Sequence, residues 1–273
     1  MANERIQTGP HLSIDYQKLV FLAAGSSGIV YAIDEEKVLK EYHSEGIDVE
    51  RRAFERLGLH RNIVRCFGAI DNGIILERGQ SLRKVIEESG AEQIPLDKRI
   101  RWLQEAAEGT RYLHEKGIIH ADVGCNNWII VHGRLKIIDF EGCSIDGEEA
   151  GACYEWFSYR QSTPVISRKT DIFAFGCAVY EVMTGRQPHQ ELAASDDRML
   201  RIKQLYADNH FPEVENIPLG SLMQGCWHGT FTSMDEVLQD LEVAGVPVTR
   251  KADSGVQSVM ATIFDYLASW RTR

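Results

Sequence analysis

The sequence changes character at Gly79, from short apolar runs to long helical patterns. Before Gly79, residues 18–42 contain three β-branched-rich runs that are broken at AAGSSG and at DEEK, which predicts two successive antiparallel turns. Two further runs, NIVRCFGAI and NGIILERG, are joined at Asp71-Asn72-Gly73, a combination typical of a hairpin. These patterns predict a first lobe with a five-stranded sheet.

One amphipathic helix is predicted within this first lobe. In SEGIDVERRAFERLG, Ser44 can serve as the N-cap and Gly58 as the stop, and one face carries the apolar residues Val49, Ala53 and Leu57. The first lobe is therefore expected to contain one main helix beside its sheet.

After Gly79 the patterns are mainly helical. A helix is expected from Pro95 to Gly117, followed by two short strands, WIIV and RLKIID. Residues 143–164 are polar and too long for an ordinary connection, which favours a functional loop. TDIFAFGCAVYEVMTG is apolar on nearly all sides, which is typical of a buried helix ending at Gly185, and two or three more helices follow to about Val243.

The chain is therefore predicted to have an α+β fold of two lobes, a small β-rich lobe with one helix and a larger helical lobe. We expect an N-terminal extension at 1–17 and one domain at 18–245, with its lobes at 18–78 and 82–245. Residues 246–273 start as a linker and continue as a helical tail with apolar residues at Val256, Met260, Ile263, Phe264, Leu267 and Trp270. Packing of this tail on the second lobe is favoured over a partner-binding helix.

Composition excludes several classes of partner. The net charge of −10 over 273 residues argues against nucleic acid, because phosphate binding requires clustered Lys and Arg. No apolar run approaches the length of a membrane span, and the first residues lack the apolar core of a signal peptide. Six cysteines without a C-x-x-C pair predict reduced, buried thiols in a cytoplasmic or nuclear protein, with no reactive role expected for Cys125 or Cys143.

The stretch HADVGCNN, residues 120–127, concentrates chemical groups in one short loop. Asp122 offers a carboxylate suited to a base, and Asn127 offers an amide oxygen suited to a metal ligand. Seventeen residues after Asp122, a predicted strand ends at Asp139, in IDFEG. A second carboxylate there suits Mg²⁺, which prefers hard oxygen ligands.

The order of these parts resembles the eukaryotic protein kinase fold over roughly residues 18–243. The motifs that carry the resemblance are AAGSSGIV, VLK, HRNIV, HADVGCNN, IDFEG and TDIFAFG followed by EVMTGRQPH. The resemblance implies a divergent kinase of the serine/threonine type, with ATP and Mg²⁺ as cofactors and a protein hydroxyl as acceptor.

The resemblance also implies roles for residues of the first lobe. Lys40 takes the position of the phosphate-pairing lysine, and Glu50, favoured over Glu55, that of its glutamate partner. The loop that covers the ATP phosphates corresponds to Ala23, Gly25, Ser26, Gly28 and Val30, with Ala23 in place of the first glycine.

The remaining implied site residues lie in the hinge and the second lobe. Glu77 and Gly79 fall in the hinge that reads adenine through backbone groups, and Ile129 corresponds to the apolar floor under adenine. Asp122 would orient the substrate hydroxyl or accept its proton, and His120 is expected to be structural. The implied magnesium ligands are Asn127 and Asp139.

Four departures from the family pattern bear on activity. Ala121 replaces the arginine that pairs with a phosphorylated activation loop, which makes the chain a non-RD kinase and predicts independence from that phosphorylation. Gly124 replaces a lysine near the transferred phosphoryl group, and Arg160 and Lys169 are the candidates to supply the missing cation. Glu141 replaces the glycine after Asp-Phe. Finally, FSYRQSTP stands where Ala-Pro-Glu is expected, and the arginine that usually pairs with that glutamate is also missing.

These departures leave three hypotheses about function open. The favoured one is an active kinase that transfers the ATP γ-phosphoryl group to a protein hydroxyl. The second is a pseudokinase that acts as an ATP-binding or scaffolding module. The third is a small-molecule kinase of the aminoglycoside or choline kinase type, favoured by Asp-Phe-Glu but opposed by HRNIV and TDIFAFG. The loop does not decide between Ser/Thr and Tyr as acceptor, although overall similarity favours Ser/Thr, and the oligomeric state is not predicted.

Overall fold

A computed structural model describes residues 14–25, 28–43, 46–162 and 164–244. The first lobe is a five-stranded antiparallel sheet in the order β1-β2-β3-β5-β4, with one α-helix beside it. Its elements are β1 Val20–Ala24, β2 Gly28–Ala32, β3 Lys37–Tyr42, α1 Gly46–Leu57, β4 Cys66–Ile70 and β5 Gly73–Glu77. The predicted sheet and the predicted main helix are both confirmed.

The second lobe is mainly helical and includes two small sheets. Its elements are β6 Gln80–Ser81, α2 Leu82–Ser89, α3 Leu96–Glu115, β7 Ile118–Ile119, β8 Trp128–Val131, β9 Arg134–Ile137, β10 Ser144–Ile145, α4 Arg168–Thr184, α5 Arg198–Ala207, α6 Gly220–Trp227 and α7 Met234–Ala244. This arrangement confirms the predicted two-lobed α+β fold. Helix α2 is an element that the sequence patterns did not single out.

Glycines end the helices where the sequence predicted. The N–H of Gly58 donates to the carbonyl of Phe54 at 2.9 Å, and its φ of 58° is left-handed. Gly185 ends α4 with a φ of 73° and donates to Glu181. Both positions favour glycine because a Cβ is strained in this backbone region. Ser44, the predicted N-cap of α1, lies outside the described residues.

The segment after α1 is joined to the second lobe through the backbone of β9. The carbonyl of Asn62 accepts from the N–H of Ile137 at 2.9 Å, and the Ile137 carbonyl accepts from Val64 at 3.0 Å. The buried side-chain amide of Asn62 also donates to the Leu135 carbonyl at 3.2 Å. These bonds fix the base of α1 against the strand that leads into Asp139.

The second lobe packs around α4. Most residues of α4 are buried, as its apolar sequence predicted, and it contacts both α3 and α6. Gly176 allows α6 to approach closely, because a Cβ at that position would lie 2.5 Å from the Cβ of Cys226. Trp102, Trp128 and Trp227 fill the core of this lobe.

The predicted ends of the domain are only partly covered by the structure. Residues 1–13 and the tail at 246–273 lie outside the described residues, so the predicted tail helix stays a prediction. Tyr16–Lys18 form a 3₁₀ turn that precedes β1. Among the helices that the structure describes, none is both long enough and apolar enough to cross a bilayer.

The contact at Gly176 predicts a stability effect. The Gly176→Ala variant should lose about 1–3 kcal/mol of unfolding free energy, because the added methyl group forces α4 and α6 apart. Thermal unfolding measures the loss. Gly25→Ala is the control, since a Cβ there meets no atom within 4 Å. Equal melting temperatures for the two variants would contradict the close packing of α4 on α6.

Candidate active site

A cleft of about 760 Å³ lies between the sheet of the first lobe and the β8 region of the second. Its size is within the usual range for a small-molecule site. Its apolar walls include Leu22, Val38, Val64 and Leu76. The predicted site residues that line it are Ala23, Val30, Lys40, Glu50, Glu77, Gly79, Ile129 and Asp139.

The two glycines of the predicted phosphate loop, Gly25 and Gly28, have different steric surroundings. A Cβ on Gly28 would overlap the backbone of Glu41 on β3, so sheet pairing requires a glycine there. Gly25 has open space around it, and Ser26 lies outside the described residues. Neither Gly25 nor Gly28 lines the cleft in this structure, and their contact with phosphate stays a prediction.

In the hinge, packing explains why position 79 is a glycine. A Cβ on Gly79 would lie within 3 Å of the side chains of Val131 and Ile129, so only glycine lets the hinge pass this close to β8. The carboxylate of Glu77 accepts from Lys136 at 2.7 Å. Contact between the hinge backbone and a ligand stays a prediction.

Lys40 is the centre of a cluster of carboxylates at the inner end of the cleft. Its Nζ lies 2.8 Å from Oε2 of Glu50, 2.6 Å from Oδ1 of Asp139 and 2.8 Å from Oε2 of Glu141. The structure thus brings Glu50 to Lys40, whereas Glu55 is exposed on the other side of α1. Burial opposes the charged form of Lys40, but the three carboxylates outweigh it and raise its pKa.

Glu50 is fully buried, and each of its carboxylate oxygens has a partner. Oε2 accepts from Lys40 and from the hydroxyl of Tyr42, and Oε1 accepts from the N–H of Phe140 at 3.0 Å. Burial and the Glu50 charge both raise the pKa of Tyr42, which keeps the phenol protonated as a donor. Through these bonds, α1 is tied to β3 and to the segment after β9.

Asp139 is directed at Lys40 by the backbone and by its neighbour Phe140. Asp139 has a left-handed φ of 70°, an uncommon conformation for a non-glycine residue. Phe140 is fully buried and packs edge-on against Phe54 of α1, with ring centroids 5.3 Å apart, and against His120 at 5.6 Å. The apolar anchor on one side of the backbone holds the carboxylate on the other.

Asp171 of α4 binds the backbone of the HADVGCNN loop from within the second lobe. The fully buried carboxylate of Asp171 accepts from the backbone N–H groups of His120 at 2.9 Å and Ala121 at 3.1 Å, and from the Tyr154 hydroxyl at 2.7 Å. His114 is a fourth partner at 2.9 Å. Burial would raise the pKa of Asp171, but His114 and the other donors lower it.

Ala121 and His120 complete this support of the loop. Ala121 is buried with a left-handed φ of 68°, which the bond from its N–H to Asp171 stabilises. His120 is buried, as predicted, and its Nε2 lies 3.0 Å from the Ile138 carbonyl. The sequence reading missed the role of Asp171, although a carboxylate in an otherwise apolar helix was a usable signal, because charged residues are rarely buried without partners.

Asp122 and Asn127 lie together, as their spacing predicted. Nδ2 of Asn127 donates to the Asp122 carbonyl at 2.9 Å and to its Oδ2 at 2.8 Å. Burial raises the pKa of Asp122 to about 6; His120 and Asn127 oppose this shift, and the carboxylates of Glu155 and Asp139 add to it. A carboxylate with this pKa is suited to accept a proton near neutral pH.

A second charged cluster, not foreseen from the sequence, lies beside Gly124. Arg83 of α2 donates two bonds of 2.7 Å to Glu155 and two, of 2.6 and 3.0 Å, to Glu181 of α4. A Cβ on Gly124 would lie 3.4 Å from Oε2 of Glu155. The chain therefore places an Arg83-bound carboxylate next to the position where the family has a lysine.

Arg160, one of the two candidates for the missing cation, is bound to other groups. Its guanidinium donates to the Trp227 carbonyl and to Oδ1 of Asn209, and it stacks over Phe173 and Phe211. It thereby ties the end of the long loop at 143–164, which corresponds to the activation segment of kinases, to α6. This contact stands in place of the Ala-Pro-Glu ion pair. Lys169 is exposed in the first turn of α4 and stays a candidate.

The cysteines agree in part with the expected buried thiols. Cys125 and Cys143 are buried near the site, and burial raises the pKa of both thiols, to about 12 for Cys143, which disfavours the reactive thiolate. Cys177 and Cys226 are also buried. Cys153 is exposed in the activation segment, so the expectation of burial is wrong at that position.

Residues 20–242 match the family model described as the protein kinase domain. The chain belongs to the protein kinase family. It is 29% identical over 261 residues to mitogen-activated protein kinase kinase kinase 7 of Homo sapiens, which covers 83% of this chain and 42% of that protein. It is 28% identical over 237 residues to mitogen-activated protein kinase kinase kinase 15 of Mus musculus, covering 76% of this chain and 18% of that protein.

A plant relative gives a similar match. The chain is 27% identical over 205 residues to calmodulin-binding receptor-like cytoplasmic kinase 3 of Arabidopsis thaliana, covering 66% of this chain and 39% of that protein. The chain thus spans less than half the length of these curated relatives.

The Arg83 cluster predicts a large stability effect. Arg83→Met should lose about 3–5 kcal/mol of unfolding free energy, because it leaves the buried Glu181 carboxylate without its cation. Arg52→Met is the matched control, since Arg52 makes an exposed ion pair with Glu148 and its loss should change stability little. Urea unfolding measures both variants. A small, equal loss in the two would contradict the structural role assigned to Arg83.

Proposed function

We propose that this chain is an active protein kinase that transfers the γ-phosphoryl group of ATP to a protein hydroxyl, of the serine/threonine class. The observation that carries the proposal is the joined set of Lys40, Glu50 and Asp139, with Asp122 and Asn127 paired on the facing loop. The Lys–Glu pair and the metal-binding aspartate must both be in place for phosphoryl transfer in this family.

In this mechanism, Lys40 binds the α- and β-phosphates while Glu50 holds its position. The apolar walls of the cleft exclude water from the adenine, with Ile129 beneath the base and the hinge backbone at its edge. Asn127 and Asp139 fit a magnesium ion, because both offer hard oxygen donors and the Asp139 side chain is 36% exposed toward the cleft. When bound, Mg²⁺ neutralises phosphate charge.

Asp122 provides the group that acts on the acceptor. Its carboxylate is oriented by Asn127, and with a pKa of about 6 it is mostly ionised at neutral pH. In that form it orients the attacking hydroxyl and accepts its proton.

The serine/threonine assignment is supported by the relatives named as mitogen-activated protein kinase kinase kinases and by overall similarity. We also propose a kinase domain at 18–245 and a location in the cytoplasm or nucleus.

A pseudokinase function remains the second candidate. The observation that favours it is the carboxylate of Glu155 next to Gly124, at the place where the family has a lysine that assists transfer. A small-molecule kinase is supported only by Asp-Phe-Glu at 139–141. The two main candidates differ in the need for Asp122, because binding or scaffolding has no chemical use for a base.

The proposed role of Asp122 as a base predicts the result of a phosphoryl-transfer assay. Asp122→Asn should lower the rate of phosphoryl transfer to a peptide library by about 10²–10⁴-fold, because the amide cannot accept a proton. Binding of ATP should be retained. Mass spectrometry after incubation with Mg-ATP measures transfer and identifies the acceptor residue. Equal product from wild type and variant would exclude the enzyme function, and labelled small molecules without labelled peptides would favour the third candidate.

The activation segment is joined to α1 by its own carboxylates. Arg52 lies 2.6 Å from Oε1 of Glu148, and Arg56 lies 2.6 Å from Oδ1 of Asp146. In kinases with an arginine at the position of Ala121, a phosphate on the segment pairs with arginine and orders the segment. We propose that Asp146 and Glu148 position the segment without phosphorylation.

This positioning predicts resistance to phosphatase. Phosphatase-treated protein should keep its full transfer rate, because carboxylates and not phosphates contact α1. Arg52→Glu should lower the rate a few-fold by placing two negative charges together, and the double variant Arg52→Glu with Glu148→Arg should restore it. Loss of activity on phosphatase treatment, or failure of the double variant to recover activity while it remains folded, would contradict the proposal.

A further inference from the structure

Three carboxylates share one ammonium group at the inner end of the cleft. A lysine ammonium has three N–H donors, and the carboxylates of Glu50, Asp139 and Glu141 all lie within 2.8 Å of Nζ of Lys40. In this state three carboxylates surround the ammonium group of Lys40. A phosphate can therefore reach Lys40 only if one carboxylate leaves.

The three contacts differ in quality. Lys40 makes aligned hydrogen bonds to Glu50 and Asp139, whereas Oε2 of Glu141 is buried without a hydrogen bond despite its 2.8 Å distance from Nζ. An ion pair that is not aligned as a hydrogen bond is weaker than one that is. Glu141 is therefore the partner of Lys40 that exchanges most easily, and its side chain is 19% exposed.

Local backbone structure places Glu141 at this position. The N–H of Cys143 donates to the Phe140 carbonyl at 3.2 Å, which makes Glu141 and Gly142 the central residues of a tight turn. Gly142 is required for another reason, because a Cβ there would overlap Ala152. Gly142 thus does not restore the family's glycine one residue late, and the glutamate side chain remains beside Lys40.

The charge of this cluster favours a divalent cation over a free phosphate. Lys40 contributes one positive charge and the carboxylates three negative ones, so the site repels the phosphates of a metal-free nucleotide. Glu50 is saturated by Lys40, Tyr42 and Phe140, which leaves Asp139 and Glu141 with oxygens for a cation. The carboxylate oxygens of Glu50, Asp139 and Glu141 come within 4.8 Å of one another.

We propose that Glu141 couples nucleotide binding to the divalent cation. Without the cation, Glu141 holds Lys40 and weakens nucleotide binding; with it, Glu141 joins Asp139 at the cation and frees an N–H of Lys40 for phosphate. The coupling is reciprocal, so the nucleotide also tightens cation binding. This inference rests on the proposed kinase function for the ligands of the cleft, but it concerns binding and not transfer.

Calorimetry of ADP binding with and without Mg²⁺ tests the coupling. Glu141→Gln keeps the shape of the side chain and removes its charge, and it should bind ADP about tenfold tighter than wild type in the absence of metal. The enhancement by Mg²⁺ should shrink in the variant. Glu149→Gln, with the same charge change at an exposed position of the same segment, should behave as wild type. Identical ADP affinities of Glu141→Gln and wild type, with and without metal, would overturn the proposal.

A second measurement separates the metal contact from the nucleotide. Titration of Mn²⁺ alone, followed by electron paramagnetic resonance, should show binding to wild type that is about tenfold weaker in Glu141→Gln and in Glu141→Gly. The glycine variant serves if the glutamine variant does not fold. Unchanged Mn²⁺ affinity, or no Mn²⁺ binding to wild type, would overturn the role of Glu141. If the coupling is observed but no peptide is phosphorylated, the kinase function fails and this inference stands.

Discussion

The buried pair of Lys40 and Glu50 is the interaction on which the rest of the site depends. A fully buried carboxylate is stable only if its charge is paired and its oxygens are bonded. Glu50 meets this condition because Lys40 of β3 pairs its charge and the N–H of Phe140 donates to its second oxygen. The helix α1, the strand β3 and the segment that carries Asp139 are therefore held in one arrangement. A movement of α1 would leave Glu50 without partners, so the requirement for pairing selects the state in which the cleft is assembled.

A second buried carboxylate, Asp171, holds the loop at 120–127 as Glu50 holds α1. It binds two consecutive backbone N–H groups and thereby stabilises the left-handed conformation of Ala121. The loop is thus shaped from within the core of the second lobe. The contact of Asp122 with Asn127 therefore does not depend on the side chain at position 121. Tyr154 extends the same network into the activation segment through its bond to Asp171.

Much of the fold could be predicted from the sequence because it depends on local patterns. The hairpin at Asp71–Gly73 and the stops at Gly58 and Gly185 follow from turn chemistry, and the buried helix α4 follows from its composition. The spacing of Asp122, Asn127 and Asp139 was also readable, since short loops limit where the side chains can go. The Arg83 cluster was not, because its partners lie 72 and 98 residues away. The contacts of Arg160, one of two candidates for the missing cation, were not readable either, because a sequence does not state the direction of a side chain.

The contacts of the nearby cations bear on what could replace the lysine that is absent at Gly124. Arg83 is linked to this position through Glu155, but its guanidinium is bound to both Glu155 and Glu181. Arg160 faces α6. Among the described side chains of the Lys40 cluster, Lys40 is the one cation, set against three carboxylates. On the proposed function, phosphate charge beside Lys40 would be neutralised mainly by the divalent ion bound with the nucleotide. The third carboxylate at Glu141 and the missing lysine at position 124 then have the same consequence. In both cases the protein supplies less positive charge, and a bound metal ion has to supply more.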